Sequence, residues 1–162
     1  MFQINLSRSS DYHDQKNNEM IPFEACNTTS GIMWLKAGRI DFWYPKIMQE
    51  EDYLTSILNG KQAWRLFKEQ YPEMYDKGFR PQNLSKMLEW GINIMVGREV
   101  DHFIQEGSLE LLVWELMSGR PVIMSGQFTA AGHFVCVVGC VSSQNKRDIE
   151  FLSIYYQFFW NY

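Results

Sequence analysis

The sequence predicts an α+β fold in which helices come first and an antiparallel sheet comes last. Three patterns predict it. The stretch from Glu50 to Gly97 is helical in character. Leu109, Leu112, Val113 and Leu116 then fall at i, i+3, i+4 and i+7, the apolar stripe of an amphipathic helix. Beyond Gly119 the chain turns to β-rich apolar runs, "PVIMSG" and "HFVCVVGCV", separated by "QFTAAG".

The elements follow in order. Phe2, Ile4 and Leu6 alternate with polar neighbours, the period-two pattern of a short half-buried strand. Ser7 to Ala25 is polar and irregular, with Pro22 near its end, and reads as an extended lead-in. "NTTSGIMWLKAG" favours a helix that begins at or just after Cys26 and stops at Gly38. The middle helices break at Gly60, Pro72 and Pro81, and the next runs from a Ser108 cap to Gly119. "SSQNKRD" is turn-like, and "IEFLSIYYQFFWNY" supplies a last, aromatic strand. That tail reads as an edge strand packed on a helix or as a self-association surface.

A chain of 162 residues suits one domain, residues 1–162. With 46% hydrophobic and 21% charged residues, disordered and fibrous classes are disfavoured. The 15% aromatic share implies a bulky core, an aromatic groove, or both. There are 15 Lys and Arg against 19 Asp and Glu, with no basic run to track a phosphate backbone, so no nucleic-acid partner is expected. Neither a secretory signal nor a membrane span is visible, which leads to the expectation of a cytoplasmic or otherwise soluble protein.

Three cysteines, Cys26, Cys136 and Cys140, make no disulfide framework. The last two lie in an apolar run, where a free cysteine is a small hydrophobe. Cys26 opens a helix, where unpaired N–H groups and the helix dipole ease thiol ionisation. The alternative is that it merely packs against that helix. His133 begins a strand directly after Gly132. Alternation places His133, Val135 and Val137 on one face and Phe134, Cys136 and Val138 on the other. Cys136 and Cys140 are therefore expected to point away from the imidazole, which argues against a zinc cluster. A third group should orient the ring, and Asp148 is the first choice among Asn145, Asp148 and Glu150. No metal, phosphate loop or organic cofactor is implied.

Three blocks of the chain resemble family thirty-nine of the papain-like cysteine peptidases, the bacteriocin-leader-processing domains. "QKNNEMIPFEACNTTSGIMW" resembles the family's Gln element, its Ile-Pro spacer and its Cys-Asn-x-Thr-Ser helix start. "EEDYLTSIL" and "NLSKMLEWGIN" resemble its middle helices, and "LMSGRPVIMSGQFTAAGHFVCVVG" its Gly-x-Pro-Val-Ile and Gly-His strands. The resemblance spans Gln15 to about Gly139 and implies a papain-like fold, with Cys on an N-terminal central helix and His on a C-terminal antiparallel sheet. It makes Cys26 the nucleophile, His133 the general base, and Gln15 an oxyanion-hole donor with the Cys26 N–H. A peptide or protein is the implied substrate.

The family closes its triad with an Asp-Pro pair, and none follows His133 here. Either Asp148 substitutes, or the chain is an impaired relative that binds peptide without turnover. The same residues would also serve amide chemistry on cell-wall peptide stems, or acyl transfer to an amine.

Overall fold

The computed structural model describes residues 2–20, 25–72, 81–128, 132–142 and 151–156. Within them, five α-helices accompany a four-stranded antiparallel sheet. The helices are α1 (Cys26–Ala37), α2 (Glu50–Asn59), α3 (Lys61–Gln70), α4 (Pro81–Val96) and α5 (Leu109–Met117). The strands are β1 (Phe2–Asn5), β2 (Val122–Gly126), β3 (His133–Ser142) and β4 (Phe151–Tyr156). The helices-then-strands order is thus observed, with β1 joining the sheet from the far end of the chain. No helix among the described residues is long and apolar enough to cross a membrane.

β3 organises the sheet, because every other strand pairs with it antiparallel. β2 pairs with its first half, Gly126 opposite His133 and Val122 opposite Val137. β1 and β4 pair with its second half. The expected alternation separates two cores. Phe134, Cys136 and Val138 pack with α1, α2 and α4. Val135 and Val137 pack with Leu112 and Leu116 of α5.

Cys140 departs from its expected place. It packs with Val135 and Val137 rather than with Cys136. Between Val137 and Gly139, β3 advances two residues while β4 advances one. Such a bulge inverts the alternation beyond it, so only Cys136 keeps to the face expected for both.

α1 is the central helix. Nine of its residues, Thr28 to Leu35 and Ala37, are buried, because it contacts α2, α4 and the sheet at once. Gly31 allows that approach: a Cβ there would meet Leu54 at 3.0 Å and Leu88 at 3.2 Å. Thr55 donates to Thr28 at 3.0 Å, and the Trp34 indole donates to the Pro121 carbonyl at 2.7 Å. The helix ends as expected at Ala37, yet the left-handed residue is Arg39 (φ 57°) rather than Gly38. Arg39 N and Ile40 N donate to Lys36 O and Leu35 O, a Schellman closure. An ion pair of 2.8 Å from Arg39 to buried Asp11 holds the side chain in place.

Aromatic residues contribute to the core as expected, with Trp34, Phe67 and Phe134 buried, whereas Trp43, Trp114 and Phe128 are exposed. Ser108 caps α5 by accepting from Leu111 N at 3.2 Å. The turn-like 143–150 and the tail beyond Tyr156 lie outside the described residues.

At Gly139 the β1 backbone comes so close that a Cβ would lie 2.2 Å from the Ile4 carbonyl oxygen. A backbone atom cannot swing aside as a side chain can. Gly139→Ala should therefore destabilise the protein by about 3 kcal/mol in urea unfolding. Gly107→Ala, which faces open space, should stay within about 0.5 kcal/mol of the parent.

Candidate functional site

Cys26 is the first residue of α1 and His133 the first residue of β3. What joins them is the backbone of Phe134. In an antiparallel strand a residue's N–H and C=O leave toward the same edge. The Phe134 N–H is directed at the Cys26 sulfur, and its carbonyl accepts from Ser30 Oγ at 3.2 Å. Four residues along, the Val138 carbonyl accepts from Leu6 N at 2.8 Å. One edge of β3 is thus completed by the chain leaving β1 at Val138 and by Ser30 of α1 at Phe134. The structure brings the thiol to the residue adjoining the imidazole.

Three backbone N–H groups, those of Phe134, Asn27 and Cys26 itself, act to lower the pKa of the thiol. The start of α1 supplies the last two because a helix leaves its first donors unpaired. Asn27 takes up the next one, its Oδ1 accepting from Thr28 N at 2.8 Å.

These donors do not give the easily ionised thiol that the helix start suggests. Burial pushes the Cys26 thiol above the ordinary thiol range and outweighs the three N–H groups that pull it down. Burial also holds His133 below the usual imidazole range. Both shifts favour the uncharged forms. A thiol and an imidazole shifted in these directions rest uncharged rather than as a thiolate–imidazolium pair.

Gly132 (φ 79°) turns the chain into β3 immediately before the histidine, a conformation that a Cβ disfavours. Opposite His133, Gly126 lies under the ring of Phe128, 3.1 Å from where its Cβ would be. Ser125 Oγ, on the neighbouring residue of β2, lies 3.4 Å from Ser85 Oγ of α4. Phe128, Ser125 and Ser85 are therefore among the described side chains near the His133 end of the sheet.

Gln15 opens a short 3-10 turn, Gln15–Asn17, and is half-buried. Its side chain makes no hydrogen bond among the described residues, so it is not joined to Cys26 there. Its segment is nonetheless fixed, contrary to the irregular lead-in expected. The Asp52 carboxylate accepts from Glu19 N at 3.1 Å and Met20 N at 3.4 Å, and Gln49 donates to the Asn17 carbonyl at 2.9 Å. His13 sits between Glu51 at 3.0 Å and Glu50 at 3.2 Å, and Lys36 reaches Glu50 at 2.7 Å. Glu51 is only 1% exposed. Burial raises its carboxyl pKa, but the His13 imidazole, its own backbone N–H and the Lys36 charge overcome that and leave it below the usual range. Sequence reading missed this strap. The acidic first turn "EED" of α2 was its one visible trace, since acids favour helix starts whether or not they hold another segment.

Asp148 lies outside the described residues. Among the described residues no group of three His, Cys, Asp or Glu side chains is placed to hold a metal ion. Scans of family models, curated proteins and solved structures return no match to this chain.

The neutral pair has a pH signature. Alkylation of Cys26 by iodoacetamide, followed by peptide mapping, should accelerate about tenfold per pH unit from pH 6 to 8, because the rate follows the thiolate fraction. A rate that is flat from pH 5 to 8 would instead reveal a preformed ion pair. Cys136 and Cys140, both sealed in the core with thiols raised by burial, should react more slowly throughout.

Proposed function

We propose that this chain is a papain-like cysteine peptidase, or a related thiol-dependent amide hydrolase, acting through an acyl-enzyme on Cys26. One observation carries the reading: the central helix that opens with Cys26 is hydrogen-bonded through Ser30 to Phe134, the residue that follows His133. The family resemblance of the "CNTTS" and "GHFVCVVG" blocks supports it independently.

The chemistry follows from the neutral resting pair. As the Cys26 sulfur attacks the substrate carbonyl carbon, its proton passes to the His133 imidazole. The carbonyl becomes a tetrahedral oxyanion at the start of α1, where the Cys26 N–H and, by the resemblance, the Gln15 side chain would donate to it. The C–N bond breaks, the amine leaves with the proton held by His133, and a thioester remains. Water then attacks the thioester with His133 again as base, releasing the acid and the free thiol. The resemblance assigns a carboxylate to orient the ring, and Asp148 is the candidate for it.

The substrate class proposed is a peptide or protein. A second reading, a binding domain without turnover, is favoured by the buried and raised Cys26 thiol and by the missing Asp-Pro.

Incubation with a peptide library, read by mass spectrometry, tests both. Cleavage by the parent that falls by about a thousandfold or more in Cys26→Ala and in His133→Ala is expected. Cleavage that survives Cys26→Ala would refute the thiol mechanism. Retained peptide with no product from the parent would establish the binding domain instead.

A further inference from the structure

Ser30 lies four residues after Cys26 on α1, one turn along the same helix face. It is 2% exposed. Its hydroxyl donates across the helix–sheet interface to the Phe134 carbonyl at 3.2 Å. The Phe134 N–H, on the same edge, is turned toward the Cys26 sulfur and helps to lower its pKa. α1 therefore meets one residue of β3 at two points: the Ser30 hydroxyl bonds its carbonyl, and the Cys26 sulfur lies on the side of its N–H. That residue immediately follows the histidine.

The two points differ in what they can bear. A thiol is a weak hydrogen-bond acceptor, so the sulfur contact cannot by itself hold a strand edge against a helix. The hydroxyl contact is of ordinary strength, and breaking it would strand a buried carbonyl. At Val138 the chain leaving β1 occupies this edge and supplies a backbone donor. At Phe134 the donor is Ser30.

We propose that Ser30 is a positioning residue of the candidate site: its hydroxyl fixes the His133–Phe134 edge of β3 against α1 and so holds the Phe134 N–H toward the sulfur and the histidine end of the strand at the helix that opens with Cys26. The proposal deepens the thiol-hydrolase reading, in that Ser30 acts through Cys26 and His133 and touches no substrate. Serine suits the task because its hydroxyl is short enough to reach between helix and strand, and an alanine there would leave the carbonyl without its donor.

The test reads Cys26 directly and needs no substrate. The rate of alkylation of Cys26 by iodoacetamide is measured against pH, by peptide mapping, in the parent, Ser30→Ala, Ser30→Thr and Ser30→Val. Thr and Val have nearly the same shape and differ in the hydroxyl, so the pair isolates that group even where Ser30→Ala does not fold. Without the hydroxyl the Phe134 N–H drifts from the sulfur, and the midpoint of the profile should rise by about half a pH unit, with about threefold slower alkylation at pH 7.5. Ser30→Ala and Ser30→Val should show this shift, and Ser30→Thr should keep the parent midpoint.

A destabilised fold alone would not move the midpoint. Ile32→Val, which trims a buried residue of the same helix, serves as the control: it should lower the melting temperature and leave the midpoint unchanged. Equal midpoints in Ser30→Thr and Ser30→Val would overturn the proposal. So would a midpoint shift of the same size in Ile32→Val. A parent that cleaves no peptide would count against the hydrolase reading while leaving this comparison intact.

Discussion

The site depends on an unfinished strand edge. β3 is the one strand to which the others bond, and along one edge the chain leaving β1 stops short of its first residues. Backbone groups left there would be buried without partners, at a cost of about 1–3 kcal/mol each. The first two turns of α1 lie along the gap, with the Ser30 hydroxyl bonded to the Phe134 carbonyl and the Cys26 sulfur on the side of its N–H. The same geometry that satisfies the strand brings the helix that opens with the chain's one half-buried thiol to the residue after its strand-end histidine. Folding and the candidate chemistry thus rest on a single contact.

Support for that contact comes from behind. α1 is buried nearly all round, so its position is set by helix packing at Gly31 and Thr28 rather than by the sheet alone. α2 then holds the lead-in through Asp52, Gln49 and the His13–Glu51 pair. The segment that carries Gln15 is consequently tied to the same helix pair that carries Cys26. The electrostatic outcome is a balance in which burial outweighs three aligned N–H groups. A helix start offers partial charge, but a sulfur that is mostly removed from water pays more in lost hydration than those dipoles return.

The fold was legible wherever periodicity was strong. The apolar spacing of α5, the helix start at Cys26 and the alternation of β3 up to Val138 all follow from side-chain repeat. The place of Cys140 was not legible, because a bulge is set by the partner strand and leaves no mark in alternation. Nor was the left-handed Arg39, which depends on Asp11 from a distant segment. At the site, Cys26 and His133 could be named from local context, whereas the Phe134 backbone that joins them has no side-chain signature. Ser30 was visible as the i+4 neighbour of the cysteine, but its role is defined by a carbonyl 104 residues away.

Amide hydrogen exchange at Phe134, followed by NMR, tests the docking of α1 on β3 most directly. The arrangement predicts that this amide is protected in the parent and exchanges at least about tenfold faster in Cys26→Ala, with the other β3 amides little changed. A Phe134 amide that exchanges in the parent as freely as an exposed loop would mean that the sulfur and the strand do not meet, and the candidate site would lose its basis.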